Sequence, residues 1–249
     1  MKTENFKILT ASEFHDQIEN CMSYLDENGV IIVRSFIKKS FIDDIISYLS
    51  GLMRNSIPNY APIEISAPNF YRINFNDERS HIKGHFHQFN FFPWNQDLLS
   101  LFENLLNIFR LKNKLNNLDE DAFLLGQSSE FVPKLSFQFY DSGAGYLERH
   151  EDPIGEHQLV VPILVMSDKG NDFSTGGLEV EINDTWHCLD DYAEKGDLLL
   201  MRGDLPHGVR PVDSEKEFKL YSTGRWMGLF AINKTVSNNK ISNSKKIEN

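Results

Sequence analysis

The sequence predicts a mainly β fold, a sandwich or barrel of short strands buttressed by helices. Three observations predict it. The second half carries closely spaced strand patterns: Leu135, Phe137 and Phe139 alternating with polar residues, an unbroken apolar run from Leu159 to Met166, strict alternation from Leu178 to Asp184, Leu198 to Met201, and Trp226 to Ile232. Glycine and aspartate punctuate these runs, at Gly176, Gly177, Gly196 and Asp197, as turns between short strands require. Helical periodicity is confined to the first half, so the helices act as a layer against the strands. The predicted organisation is one domain over residues 1–232, helix-rich over 1–125 and β over 130–232, followed by a polar Lys/Asn/Ser-rich tail at 233–249 that reads as disordered.

From the N-terminus, apolar residues at helical spacing predict a helix over Ser12 to Glu27, stopped at Asn28 and Gly29. Val30 to Val33 follows as a strand, and Ser40 to Met53 as a second helix with Ser40 as its cap. The stretch Pro58 to Trp94 is rich in aromatics and histidine, which makes Tyr71, Arg72 and Trp94 candidates for substrate contact. His81, His85 and His87 have no cysteine nearby and an irregular spacing, which favours packing or hydrogen bonding over a second metal site. Leu98 to Leu115 is an amphipathic helix. In Lys134 to Tyr140 the face bearing Ser136, Gln138 and Tyr140 is polar: solvent-facing in a two-layer protein, pocket-lining in a barrel.

Chemistry concentrates at His150, Asp152 and His207. At i and i+2 on a strand, His150 and Asp152 would point to one face, with Glu151 pointing away, and intervening strands can return His207 beside them. Two imidazoles and one carboxylate on one face of a metal leave open positions, the arrangement of non-haem Fe(II) oxygenases.

Over Lys134 to Ile232 the chain resembles the Fe(II)/2-oxoglutarate-dependent dioxygenases. The resemblance rests on Tyr140, Gly143, Tyr146, His150, Asp152, Gly176, Gly177, Gly196, Asp197, His207, Val209, Pro211, Gly224, Arg225 and Trp226. These match the core motifs of the prolyl-hydroxylase-like branch, although the stretch from tyrosine to histidine is a residue longer here. Tyr24 to Ile37 resembles the opening of phytanoyl-CoA-hydroxylase-like members. The resemblance implies a double-stranded β-helix (jelly roll) core. It implies Fe(II) on His150, Asp152 and His207, with 2-oxoglutarate and dioxygen as cosubstrates. It also implies Arg225 as the anchor of the distal carboxylate of 2-oxoglutarate, ahead of Arg210 and Lys219, with Tyr140 and Gln138 as further partners. Arginine suits that role through a two-pronged charge-assisted hydrogen bond, and a barrel-facing arginine is costly unless paired. The implied reaction is oxidation of an unactivated C–H bond with release of succinate and carbon dioxide. Hydroxylation, desaturation, ring closure and epimerisation all fall within it. Asp152 fills the position that the related halogenases leave vacant, which argues against halogenation.

The net charge of −11 weighs against a nucleic-acid substrate and leaves a small organic molecule, such as an amino acid or natural-product intermediate, as the expected one. A peptide or protein substrate stays open. Cys21 and Cys188 are too few for a disulfide framework, and no membrane span or apolar leader is legible, so a cytoplasmic protein is expected. The alternatives are a cupin-like metal oxygenase that does not use 2-oxoglutarate, and a non-catalytic jelly-roll binding protein.

Overall fold

The computed structural model describes residues 6–27, 29–60, 70–76, 80–93, 97–124, 131–155 and 157–234. The chain enters through β1 (Phe6–Thr10), followed by α1 (Ala11–Asp16) and α2 (Ile18–Asp26). Where one helix was predicted there are therefore two, broken at Gln17. The start is also set one residue earlier than Ser12, because Thr10 is the N-cap and forms a reciprocal capping box with Glu13. After β2 (Val30–Arg34), α3 runs over Lys39–Asn55, so Ser40 lies inside the helix rather than capping it; Lys38 is the N-cap and makes no side-chain capping bond. Next come β3 (Asn59–Tyr60), β4 (Tyr71–Phe75), β5 (Gly84–Phe91) and α4 (Leu101–Leu115). The start of α4 is fixed by the Asp97 carboxylate, which accepts from the amides of Leu101 (2.7 Å) and Phe102 (3.2 Å) and so shortens the predicted helix.

The β half comprises β6 (Phe131–Asp141), β7 (Tyr146–His150), β8 (Val160–Val165), β9 (Gly177–Ile182), β10 (Thr185–Cys188), β11 (Leu198–Arg202), β12 (His207–Arg210) and β13 (Gly224–Lys234). Asn233 and Lys234, assigned to the polar tail, extend β13, where they pair with Val132 and Phe131; the rest of the tail lies outside the described residues. The strands pair in the order β1-β2-β11-β8-β13-β6-β5-β7-β12-β9-β10, with β4 on β5 and β3 on β4. The order folds into two layers. The small layer β7-β12-β9-β10 meets the large one where β5 pairs with β7 through two residue pairs, Gly84 with Leu147 and His85 with Tyr146. Gly84 permits this corner, since a Cβ there would stand 2.9 Å from the Tyr146 carbonyl oxygen.

Alternation along each strand then builds two cores. Leu135, Phe137 and Phe139 face out of the barrel and pack with Leu49, Leu105, Phe109 and other helical residues. Tyr140, Ile163, Leu178, Val180, Val209 and Met227 face inward, between the layers. Each buried side chain of this size contributes about 1.5–3 kcal/mol, so flipping β6 by one residue would be prohibitive. The polar face of β6 is consequently not solvent-facing: Ser136, Gln138 and Tyr140 are all buried. The N-terminal unit is tied to the barrel by Asp197, which pairs with Arg34 (2.5 Å) and accepts from the Ser35 amide (2.9 Å).

Candidate metal centre

His150 ends β7 and His207 begins β12, and the register of these antiparallel strands sets the two directly opposite. Their ring centroids are 4.3 Å apart. The pairing shifts register immediately after His207, a local irregularity of the kind that re-aims side chains beside active sites. Asp152, expected on the same strand as His150, lies two residues beyond the strand end. Its position is fixed by its amide, which donates to the Gly203 carbonyl (2.8 Å). It reaches the same point by a loop rather than by strand alternation.

The side chains converge as a ligand set would. Asp152 Oδ1 is 3.7 Å from His150 Nε2, Asp152 Oδ2 is 3.9 Å from His207 Nε2, and the three ligand atoms lie within 4.8 Å of one another. Each imidazole is oriented in the same way. His150 Nδ1 faces the Glu148 carbonyl and His207 Nδ1 the Leu205 carbonyl, both at 2.8 Å and both two residues back in the chain. Nδ1–H must donate in each case, which leaves the Nε2 lone pair for a metal. Burial pushes the His207 pKa down, aided by His150, so the ring stays in the neutral form that binds metals.

Inside the barrel a cavity of about 120 Å³ is lined by His150, Asp152, His207, Gln138, Tyr140 and apolar residues that include Leu178, Val209 and Met227. A liquid water occupies about 30 Å³, so this space suits a small molecule. Tyr140 donates to Gln138 Oε1 (2.5 Å), and burial raises the Tyr140 pKa, keeping the phenol protonated as a donor. His150 also borders a wider outer groove of about 590 Å³ lined by His81, Arg149, Glu181 and Trp186. The ligand set therefore stands between an enclosed space and an open one.

Arg225 is opposite Tyr140 in the β6–β13 register, near the far end of the cavity wall, and is 1% exposed. Its partner is Asp190, which accepts from Nε at 2.7 Å and Nη2 at 3.1 Å. Burial works against the charge, but Asp190 more than offsets it and the net pKa shift is upward. The third nitrogen, Nη1, is buried with no hydrogen-bond partner among the described residues. Sequence reasoning demanded a partner for Arg225 and missed Asp190, which sits on a short 3-10 turn, Leu189–Asp191. The available signal was glycine. A Cβ on Gly177, at φ +112°, would stand 2.4 Å from Asp190 Oδ2, and the same oxygen accepts from the Leu178 amide at 2.5 Å. The other two candidates are elsewhere: Arg210 sits 3.7 Å from Glu179, and Lys219 is exposed, 3.4 Å from Glu217.

The aromatic–histidine stretch separates into distinct roles. Tyr71 and His87 belong to a buried hydrogen-bonded cluster with Asp141, Arg72 turns toward the barrel interior, and Trp94 lies outside the described residues. Cys21 and Cys188 are both buried and unpaired, and among the described residues no helix is long and apolar enough to cross a membrane.

No family model and no curated protein matches the chain. Solved structures do. The chain is similar to JOX2 in complex with 2OG, Fe and JA (16% identity, 92% of this chain and 74% of that one, TM-score 0.59). It is similar also to a prolyl hydroxylase from Trichoplax adhaerens in complex with a hypoxia-inducible-factor peptide fragment (13%, 98% of each chain, TM-score 0.55). A Pseudomonas putida prolyl-4-hydroxylase aligns over 86% of this chain and 98% of its own (15%, TM-score 0.51). At such identities the likeness is one of fold alone: a jelly-roll core that this chain shares with these solved structures.

Proposed function

We propose that this protein is an Fe(II)- and 2-oxoglutarate-dependent oxygenase that hydroxylates, or otherwise oxidises, an unactivated C–H bond of a small organic molecule. One observation carries the reading: two histidines whose Nδ1 atoms are fixed by backbone carbonyls present free Nε2 atoms, together with Asp152, to a cavity inside a barrel. That donor set fits Fe(II) with open positions remaining. The orphaned Nη1 of Arg225 and the protonated Tyr140 fit the distal carboxylate of 2-oxoglutarate. When bound, the iron would let dioxygen serve as the oxidant and 2-oxoglutarate as the reductant, one oxygen atom leaving in succinate as carbon dioxide is released and the other oxidising the substrate. The chain's own part is to hold the ligands, to orient the cosubstrate through Arg225, Tyr140 and Gln138, and to keep water out with Leu178, Val209 and Met227. The small enclosed cavity favours a small substrate, whereas the neighbours include one holding a peptide and one holding JA and so do not decide the class. Two buried free thiols accord with a reducing, cytoplasmic setting.

The test needs no substrate: Fe(II) and 2-oxoglutarate are added to the metal-free protein without oxygen, and the weak visible charge-transfer band of the chelate is sought. Its appearance, followed by substrate-dependent succinate release, is the expected result. Iron binding without the band would favour a metal oxygenase that does not use 2-oxoglutarate, and failure to bind iron would leave a non-catalytic binding protein.

A further inference from the structure

Three cations stand in or beside the barrel wall with no carboxylate oxygen within 4.0 Å among the described residues. Lys134 has the same strand parity as Ser136, Gln138 and Tyr140 and so faces inward, and it has no hydrogen-bond partner among the described residues. Arg72 is opposite Gln88, which is opposite Gln138, so it belongs to the same inner wall. It is braced from below: its Nε donates to Gln88 Oε1 at 2.6 Å, and Gln88 Nε2 donates to Ser136 Oγ at 2.6 Å. Among the described residues, neither terminal nitrogen of the guanidinium has a hydrogen-bond partner. Lys112 enters from α4, 1% exposed, and donates to the Val160 carbonyl at 3.1 Å.

These groups sense one another and the ligand set. Burial, then the charge of Arg72, pushes Lys134 down to about 8, and burial pushes Lys112 down to about 8 and Arg72 to about 10. Asp152 is the carboxylate whose charge draws both lysines back up. Geometry places the two lysines there as well: Lys112 bonds the Val160 carbonyl at the start of β8, and Lys134 is opposite Ala231, toward the same end of that strand. The charge that bears on Arg72 is that of Tyr140. In a chain with 36 acidic residues, setting the half-buried Arg72 and Lys134 on an inner wall with no carboxylate beside them among the described residues is a cost that packing alone does not explain. Position separates Lys134 from the cosubstrate anchor. Lys134 pairs with Ala231 and Tyr140 with Arg225, six residues apart on β6, or roughly 20 Å of strand.

We infer that Arg72 and Lys134 hold an anionic group of the substrate, a carboxylate or a phosphate, against the inner wall formed by β4, β5 and β6. The inference rests on the oxygenase reading for where the substrate must sit, and it names the substrate class for that site: an acidic small molecule with its reacting carbon a short distance from its charge. The fork of Arg72 supplies paired donors and Lys134 a point charge, a combination suited to a planar or tetrahedral oxyanion.

Matched probes test it: hexanoate against hexanamide, and inorganic phosphate, each titrated into protein loaded anaerobically with Fe(II) and 2-oxoglutarate and followed by saturation-transfer NMR. The expected result is at least tenfold tighter binding of one of the anions than of the amide, lost in Arg72→Gln and in Lys134→Met, with half-saturation by 2-oxoglutarate unchanged. Preference for hexanoate or for phosphate assigns the anion. Lys134→Met should also melt higher than the parent, since it removes a half-buried charge kept for a ligand; this readout stands even if Arg72→Gln folds poorly. Equal binding of hexanoate and hexanamide with no binding of phosphate, or no binding of any probe, overturns the inference. So does a tenfold rise in the 2-oxoglutarate requirement in either variant, which would give the cations to the cosubstrate. Anion selectivity without a chelate band would instead sink the oxygenase reading and leave the anion site standing.

Discussion

Among the described residues two histidine–aspartate clusters lie in this barrel, and only His150, Asp152 and His207 converge as a metal's ligands would, although His85 Nε2 and Asp141 Oδ1 in the second are buried without partners. In the first, each imidazole commits one nitrogen to a backbone carbonyl and keeps the other free, and Asp152 is one-third exposed beside a cavity. In the second, both nitrogens of His87 are spent: Nδ1 faces the Tyr71 hydroxyl at 2.8 Å and Nε2 faces Asp141 Oδ2 at 2.8 Å, with His87 and Asp141 wholly buried. His85 stands 3.8 Å from the same oxygen, and burial lowers its pKa, so it adds little positive charge at neutral pH. The same residue types thus do opposite work. A fixed ring with a spare lone pair facing open space is a ligand, and a ring with both nitrogens engaged is a tether between β4, β5 and the end of β6.

The sharpest way to break this contrast is to delete one member of each cluster. His207→Ala should abolish iron binding and with it the anaerobic chelate band. The loss should exceed the 10–100-fold typical of changes that merely disturb a ligand's orientation, while the metal-free protein still folds. Calorimetric titration with Fe(II) checks it, and retention of wild-type affinity would remove His207 from the ligand set. Asp141→Asn should do the converse. It leaves His87 in a buried site with its charge-assisted bond lost, at a cost of about 3 kcal/mol, or roughly 5–10 °C in Tm for a chain of this size, with iron affinity of the folded fraction unchanged. A thermal melt paired with the same titration separates the two roles.

Arg225 lies between the extremes, with two nitrogens satisfied by Asp190 and one unsatisfied. Arg225→Leu should spare iron yet raise the 2-oxoglutarate concentration for half-saturation by roughly 10–100-fold, the scale of the one charge-assisted hydrogen bond that Nη1 has left to give. It also strands Asp190, so Arg225→Leu/Asp190→Leu is the control: recovered stability without recovered cosubstrate binding would mark Nη1 as the functional atom. An unchanged 2-oxoglutarate requirement in both variants would move the anchor elsewhere.

How far such assignments could be read in advance depended on the kind of signal. Strands announced themselves through alternation, and the inward turn of Ser136, Gln138 and Tyr140 followed once apolar neighbours on both faces of β6 were buried. The convergence of His150 and Asp152 was legible because the two are close in sequence, although a loop rather than a strand delivers Asp152. Asp190, Asp141 and Lys134 were not, because each acquires its role from a residue at least 35 positions away or from a direction of burial that local pattern does not encode. Helix boundaries slipped at Thr10 and Asp97 for the same reason: a single side-chain cap outweighs periodicity over the first turn.

Asp213 extends the contrast to its satisfied limit and gives the smallest effect. Fully buried, it accepts from Ser142 Oγ (2.7 Å), the Ser174 and Thr175 amides (2.7 and 2.9 Å) and Lys216 Nζ (2.8 Å). Burial alone would raise its pKa, but these donors together bring it down to about 2 from the ordinary 3.8. The folded state therefore resists a proton that the unfolded chain accepts. The contribution to stability is whole above about pH 4 and fades as pH falls toward 2. Asp213→Asn removes the charge without adding backbone strain, since asparagine tolerates the left-handed conformation present there (φ +47°). The variant should lose about 1–2 kcal/mol at pH 7 and show a flatter decline in stability between pH 4 and pH 2, measured by urea unfolding across that range. An unaltered slope would mean that the carboxylate's partners position the β12–β13 loop without drawing on its charge, and that a satisfied aspartate in this fold can be as silent as a leucine.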